Sequence, residues 1–326
     1  MSDLILAIPS KGRLQEQALD YLADAGLRLN QSRGVRDYTA NLTGVDGVSV
    51  SLLSAAEIAD ELISGRVHLG ITGEDLLAEQ SAANRALVVE RLGFGRANVV
   101  VAVPRAWIDV STMADLDDVA ASFHSKHHRK LRVATKFTTL AREFFASHGI
   151  ADYRIVESLG ATEGAPAAGT AELIVDITTT GATLTANDLK ILDDGTILES
   201  QAALAASLRA AWTPKARASA QALLGRIAAR ALAKASQVVQ VQWDKSIDAV
   251  LATLQRDFGA RLLSAPGRSD ASILIPEKFV TAAVLHLRQE MPGAAVTTQA
   301  PNQVFTSDNR IYQLLEQALS PPKSDP

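Results

Sequence analysis

The chain has 326 residues, 47% of them hydrophobic, with 32 Lys+Arg against 36 Asp+Glu and no cysteine. At about 100–200 residues per domain this length implies two or three domains, and the apolar fraction excludes a disordered chain. Zero cysteine excludes disulfides, a thiol nucleophile, iron–sulfur clusters and Cys-ligated zinc; a net charge of −4 excludes the strong basic excess of a dedicated nucleic-acid binder.

The start, Met1-Ser-Asp-Leu-Ile-Leu-Ala-Ile-Pro9, is acidic where a secretory leader is positive. No stretch approaches the ~18 apolar residues that span a membrane. The expectation is a cytoplasmic protein with no membrane and no nucleic-acid partner. Short β-branched runs then predict strands at Leu4–Ile8, Val48–Leu53, Val67–Ile71, Leu87–Glu90, Val99–Val103, Leu131–Ala134, Arg154–Val156, Leu173–Ile177 and Thr196–Leu198. Amphipathic helices are predicted between them at Leu14–Ala25, Ala55–Ser64, Met113–Phe123 and Leu140–His148. This alternation means an α/β fold with mostly parallel sheets, in which ligands bind beyond the carboxyl ends of the strands. The Ala-rich stretch 202–235 predicts two helices broken at Thr213-Pro214. Residues 237–320 follow the order β-α-β-β-α-β, that of a small ferredoxin-like α+β domain, and end in a helix at Arg310–Leu319.

Three strand-to-helix turns carry the chemistry. In Asp176-Ile-Thr-Thr-Thr-Gly-Ala-Thr-Leu184, a strand ends in a carboxylate and hydroxyl residues surround one glycine before a helix near Thr183. Backbone N–H groups and the hydroxyls of Thr178, Thr179, Thr180 and Thr183 then converge on one point, suited to a phosphate monoester, with Asp176 placed for sugar hydroxyls. The plainer reading is a Thr-rich turn whose hydroxyl caps the next helix. In Pro9-Ser-Lys-Gly-Arg-Leu14, Lys11 and Arg13 stand at a helix start, where cations oppose the macrodipole; a bound polyphosphate explains them better than helix stability does. Leu69-Gly-Ile-Thr-Gly-Glu-Asp75 is a third such turn, although acidic first turns are ordinary helix starts. Gly93-Phe-Gly-Arg-Ala-Asn98 precedes a strand and is no dinucleotide fingerprint, and no P-loop occurs. The run His124-Ser-Lys-His-His-Arg-Lys130 reads as a solvated helix end.

Taken in order, these turns, with Arg132-Val-Ala-Thr-Lys136 and the Glu163-Gly-Ala-Pro166 segment that leads to Gly169 and Glu172, resemble the ATP phosphoribosyltransferase family. That family catalyses the first step of histidine biosynthesis, and the likeness runs from about residue 3 to 205. It implies a bilobal unit similar to periplasmic binding proteins: lobe one from 1–92 and 178–205, lobe two from 93–177, a helical link at 206–236 and a C-terminal domain at 237–320. It implies transfer of 5-phosphoribosyl from phosphoribosyl pyrophosphate to N1 of ATP. By the same resemblance Thr178, Thr179, Thr180, Gly181, Ala182 and Thr183 hold the 5-phosphate and Asp176 the ribose. Lys11 and Arg13 act in catalysis by neutralising pyrophosphate. Arg33 or Arg36 adds a clamp, and Thr72, Gly73, Glu74, Asp75 and Glu163 lie near the nucleotide or diphosphate. Mg²⁺ comes bound to substrate, without a dedicated protein ligand set. The chain is expected to be a homo-oligomer, with histidine as a feedback inhibitor at the C-terminal domain, although Ser264–Asp270 and Gln303–Phe305 do not match the usual regulatory motifs. Short family members instead borrow a separate subunit related to histidyl-tRNA synthetase. A bilobal small-ligand receptor and an inactive regulatory homologue are the competing readings.

Overall fold

Alternation in the first strand decides how the amino-terminal lobe is layered. In β1 (Leu4–Pro9), Leu4, Leu6 and Ile8 enter one apolar cluster while Ile5 and Ala7 enter another, so both sheet faces are covered. The computed structural model describes residues 4–30, 39–158, 160–243, 247–263 and 270–320. After β1 the chain runs through α1 (Gly12–Asp24), β2 (Arg28–Asn30), β3 (Thr39–Thr43), β4 (Val48–Leu53), α2 (Ala55–Ser64), β5 (Leu69–Gly73), α3 (Glu74–Glu79) and β6 (Ala86–Arg91). It then crosses into β7 (Asn98–Pro104), α4 (Met113–His127), β8 (Leu131–Thr135), α5 (Thr138–Ser147), β9 (Tyr153–Glu157), β10 (Leu173–Thr178), α6 (Ala182–Ala186) and β11 (Leu189–Leu198). It returns through β12 (Ala202–Ser207) to α7 (Pro214–Lys234). The last part is β13 (Ser236–Gln242), α8 (Asp248–Phe258), β14 (Arg261–Leu262), β15 (Asp270–Pro276), α9 (Val280–Glu290), β16 (Ala295–Gln299) and α10 (Arg310–Leu319).

Lobe one is a seven-stranded sheet in the order β2-β3-β4-β1-β5-β12-β6, with β1 parallel to β4 and β5. Helices α1, α7 and α10 cover one face, and α2 and α3 the other. Lobe two is a five-stranded sheet in the order β11-β7-β10-β8-β9, in which β8, β9 and β10 are parallel. The third sheet, β14-β15-β13-β16, has antiparallel neighbours throughout, and α8 and α9 pack on its one face. Its element order and strand order are ferredoxin-like, as expected.

Four details differ from the sequence reading. Residues 202–207 are strand, not helix: all six are buried between β5 and β6, antiparallel to both. Alanine favours helix and shows no period, but a central strand with helices on both faces needs small side chains, and pairing decides. The helix begins only at Pro214, where the Thr213 hydroxyl accepts the Ala216 N–H at 3.1 Å. The return expected at Thr178 lies later, at residues 199–201, because β11 still pairs with β7. Strands β2 and β3 form a short antiparallel edge that the polar sequence around residue 30 concealed.

The fourth concerns the carboxyl end. The third sheet ends at Gln299, and α10 turns back to lobe one, where Ile311 and fully buried Leu315 join the core shared by α1 and α7. The histidine-rich run behaves as read: it ends α4, with His128 left-handed at the cap and His124 Nδ1 2.9 Å from Asp152. His68 is a core residue. Its Nδ1 accepts the Ile5 N–H at 3.1 Å, its Nε2 faces the Ala211 carbonyl at 3.2 Å, and burial lowers its pKa, holding it neutral. Because α10 completes the lobe-one core, Leu315→Ala is expected to lower the unfolding free energy by about 3 kcal/mol in chemical denaturation. An unchanged midpoint would show that α10 is dispensable there.

Candidate active site

The carboxyl ends of β1, β4 and β5 in lobe one and of β8 and β10 in lobe two are the edges where ligand groups gather. Within β10, Asp176 is half-buried. Its carboxylate accepts the Ile177 N–H at 2.8 Å. Burial raises its pKa; the Ile177 bond and Lys136 oppose that rise and Glu163 adds to it. Asp176, Glu163 and Lys136 therefore share one electrostatic neighbourhood. The turn that follows is closed by its own hydroxyls: Thr178 Oγ1 accepts the Gly181 N–H at 2.8 Å, and Thr180 Oγ1 accepts the Ala182 N–H at 3.4 Å. Gly181 sits at φ +75°, left-handed backbone that side chains resist. Thr183 is exposed. The helix expected to polarise this turn, α6, has only five residues, so attraction for an anion rests on local N–H and O–H groups, not on a summed dipole.

The Thr179 hydroxyl donates to the Arg96 carbonyl at 3.0 Å and so fastens the turn to the first crossing between the lobes. Thr178 and Thr179 line a cavity of about 380 Å³ with Arg91, Arg96, Asn98, Glu199, Ser200 and Gln201, that is, with both crossings. On the lobe-one side, Lys11 is the extended N-cap of α1, which has no side-chain cap and no acidic residue in its first turn. Lys11 and Arg13 are exposed, and Leu14 packs within 3.2 Å of where a side chain on Gly95 would begin, which sets this turn beside the same crossing.

The third turn is mostly internal bracing. Thr72 is fully buried and its hydroxyl donates to the Ala55 carbonyl at 2.7 Å, so it is not presented to a ligand. Asp75 is buried. It accepts the Ser200 hydroxyl at 2.9 Å, and its own N–H donates to Ser200 Oγ at 3.0 Å. Burial raises its pKa, opposed by the Ser200 bond and by Lys136. Gly73 is required here because a Cβ would lie 2.2 Å from Asp75 Oδ1. Glu74 accepts Arg91 Nε at 2.8 Å, while its second oxygen is buried with no hydrogen-bond partner among the described residues. Arg33 and Arg36 lie outside the described residues. Glu172 has a structural part: its carboxylate takes the side chain and backbone N–H of Arg132, joining β10 to β8.

A family model described as HisG, ATP phosphoribosyltransferase, matches residues 54–229, more than half of the chain. The chain belongs to the ATP phosphoribosyltransferase family. The ATP phosphoribosyltransferase of Afipia carboxidovorans is 60% identical over 258 residues, 78% of this chain and 79% of that one. That of Nitrobacter winogradskyi is 51% identical over 97% of this chain and 98% of its own, so the likeness extends through the C-terminal domain. Among solved structures, the ATP phosphoribosyl transferase (HisG:HisZ) complex from Thermotoga maritima superposes with a TM-score of 0.54 at 24% identity, over 69% of this chain and 95% of that one, a likeness of fold.

Two groups at this candidate site carry no role in the sequence reading. Lys136, exposed just after β8, acts on both Asp75 and Asp176 and so links the two lobes electrostatically. Its place in the Arg132–Lys136 motif was the available signal. Arg96 sits in a run that only partly matches a dinucleotide pattern, and the crossing geometry brings it to the Thr turn. Lys136 lowers the pKa of both carboxyls, so its removal lets them rise and protonate at higher pH. Lys136→Met is therefore expected to move the acid limb of the kcat/KM profile upward and to reduce kcat/KM at least tenfold. An unmoved limb would separate Lys136 from the site.

Proposed function

We propose that this family member joins N1 of the ATP adenine to C1 of phosphoribosyl pyrophosphate, with the Thr178–Thr183 turn holding the 5-phosphate and Asp176 the ribose. The observation that carries this reading is the turn itself: it lies against both crossings and beside Arg96, with a carboxylate at its base. The N1 lone pair forms the new C–N bond as the C1–O bond breaks, and that electron pair leaves on pyrophosphate. N1 carries no proton, so positioning and charge suffice without a strong base. Lys11, Arg13 and Lys136 offset the charge that grows on the leaving group.

Among the described residues no three His, Asp or Glu groups form a metal-ligand cluster. The carboxylates of Asp176 and Glu163 would hold a substrate-borne Mg²⁺ ion, which would offset negative charge on the diphosphate. Among the described residues no helix is long and apolar enough to cross a membrane. The substrate pair points to the cytoplasm as the working compartment.

We read residues 236–299 as a regulatory domain for histidine and the chain as a homo-oligomer active without a second kind of subunit. Support comes from the segments that flank that domain on either side. Gln303 donates to the Ala25 carbonyl at 2.7 Å, Val304 N–H donates to the Ala229 carbonyl at 3.0 Å, and Lys234 pairs with Asp24. The Gln303 and Lys234 contacts hold the far end of α1, whose start carries Lys11 and Arg13, and the Val304 contact holds α7.

The purified chain alone, with ATP, phosphoribosyl pyrophosphate, Mg²⁺ and a pyrophosphatase, is expected to form an ultraviolet-absorbing adduct; no adduct sinks the reading. Asp176→Ala and Thr183→Ala are expected to raise KM for phosphoribosyl pyrophosphate at least tenfold and that for ATP less than threefold. Equal effects on both substrates would displace the 5-phosphate from the turn. For regulation, Val238 and Gln299 are paired across neighbouring strands, so a short Gly-Ser link can replace 237–300 and leave α10 in place. This deletion is expected to keep transferase activity and lose inhibition by histidine. Persistent inhibition would put the histidine site elsewhere.

A further inference from the structure

Helix α3 belongs to lobe one by sequence and is tied to both crossings at its start. The Glu74 N–H donates to the Gln201 carbonyl at 3.0 Å, the Asp75 N–H to Ser200 Oγ at 3.0 Å, and Arg91 holds the Glu74 carboxylate. Its other end reaches lobe two. Ala78 packs against the lobe-two core, and the Glu79 carboxylate accepts the N–H of Thr139 at 2.9 and 3.1 Å and of Leu140 at 3.0 Å, with the Thr138 hydroxyl at 3.3 Å. These are the first N–H groups of α5, which has no cap of its own: the N-cap residue is Phe137, whose ring is buried in the lobe-two core, and the first turn has no acidic residue. A local Ser, Thr or Asp ordinarily fills that role. Here a carboxylate from the opposite lobe fills it, with a charge suited to the helix start. Lys136 immediately precedes this turn.

We propose that Glu79 is a positioning residue that sets the angle between the lobes. By capping α5 from lobe one, it holds Lys136 within reach of Asp75 and Asp176. The start of α5 is satisfied only at the lobe angle that brings Glu79 to it, so the cap and the width of the cleft are one constraint. The consequence for phosphoribosyl pyrophosphate rests on the function proposed above; the consequence for lobe geometry does not.

The absence of cysteine allows a direct measurement. Asp20 on α1 and Asp118 on α4 are exposed, one on each lobe, and Asp20→Cys with Asp118→Cys provides two spin-label sites in the full chain, diluted with unlabelled protein. Glu79→Ala is expected to broaden or shift the interlobe distance distribution and to raise KM for phosphoribosyl pyrophosphate at least fivefold, with kcat changed less than twofold. Glu79→Gln keeps an acceptor oxygen and is expected to retain the native distribution and a KM within twofold. A merely stabilising residue would lower the melting temperature and leave distance and KM alone, which would overturn the proposal. Equal damage from Ala and Gln would overturn it too. If Glu79→Ala does not fold, Glu79→Asp, one methylene shorter, carries the same test. An inactive native chain would defeat the transferase reading, and the distances would still decide the role of Glu79.

Discussion

Asp75 and Ser200 meet at the point where the chain comes back from the second lobe to the first. The serine hydroxyl donates to the carboxylate while the aspartate N–H donates to the same hydroxyl oxygen, and both residues are buried. A buried carboxyl left without partners is strongly unfavourable, and a bond to a charged group contributes about 1.5–3 kcal/mol. The pair therefore fixes where β5 ends against the return crossing. Gly73 is the steric condition for it, since any side chain there would collide with the Asp75 carboxylate. From this point α3 runs toward lobe two, β12 enters the lobe-one sheet, and Ser200 and Gln201 become a wall of the cavity beneath the Thr turn.

The cleft is balanced electrically across the two lobes. Burial pushes the Asp75 and Asp176 carboxyls upward, and Lys136 pulls both back. Exposed Lys11 and Arg13 stand at a helix start that carries no acid and no side-chain cap. This distribution suits a ligand that brings several negative charges and loses two phosphates as a leaving group. It also explains how a chain with a net charge of −4 can hold a site for polyanions: the cations are placed locally and the bulk charge has no part in it.

The turns were legible in sequence because each is a contiguous run whose meaning is local. A strand that carries Asp176 near its end and runs into Thr-Thr-Thr-Gly defines its own hydrogen bonds, and the Thr178–Gly181 bond needs only neighbouring residues. The capping box of Ser54 and Glu57 at the start of α2 is local in the same sense. Other residues were misjudged for an equally physical reason. Thr72 looks like a ligand contact because glycines bound its strand-to-helix turn, yet its hydroxyl is taken by a carbonyl 17 residues away. Residues 202–207 looked helical because alanine has no period to betray a strand. Nothing in the sequence around Glu79 distinguishes it from an ordinary helical glutamate, since its partners lie some 60 residues on.

The sequence by itself determined the α/β alternation, the strand-to-helix turns, the absence of thiol chemistry and the ferredoxin-like order of the C-terminal elements, all of which depend on residue type at short spacing. The tertiary structure decided which turns face a common space. It placed the return at 199–201, sent α10 back to lobe one, buried Thr72 and brought Lys136, Arg96 and Glu79 to the cleft. Those outcomes depend on strand pairing and packing between distant segments, whose energies no local pattern records. The length that first implied two or three domains resolves, among the described residues, into three sheets, and α10 completes the core of the amino-terminal lobe.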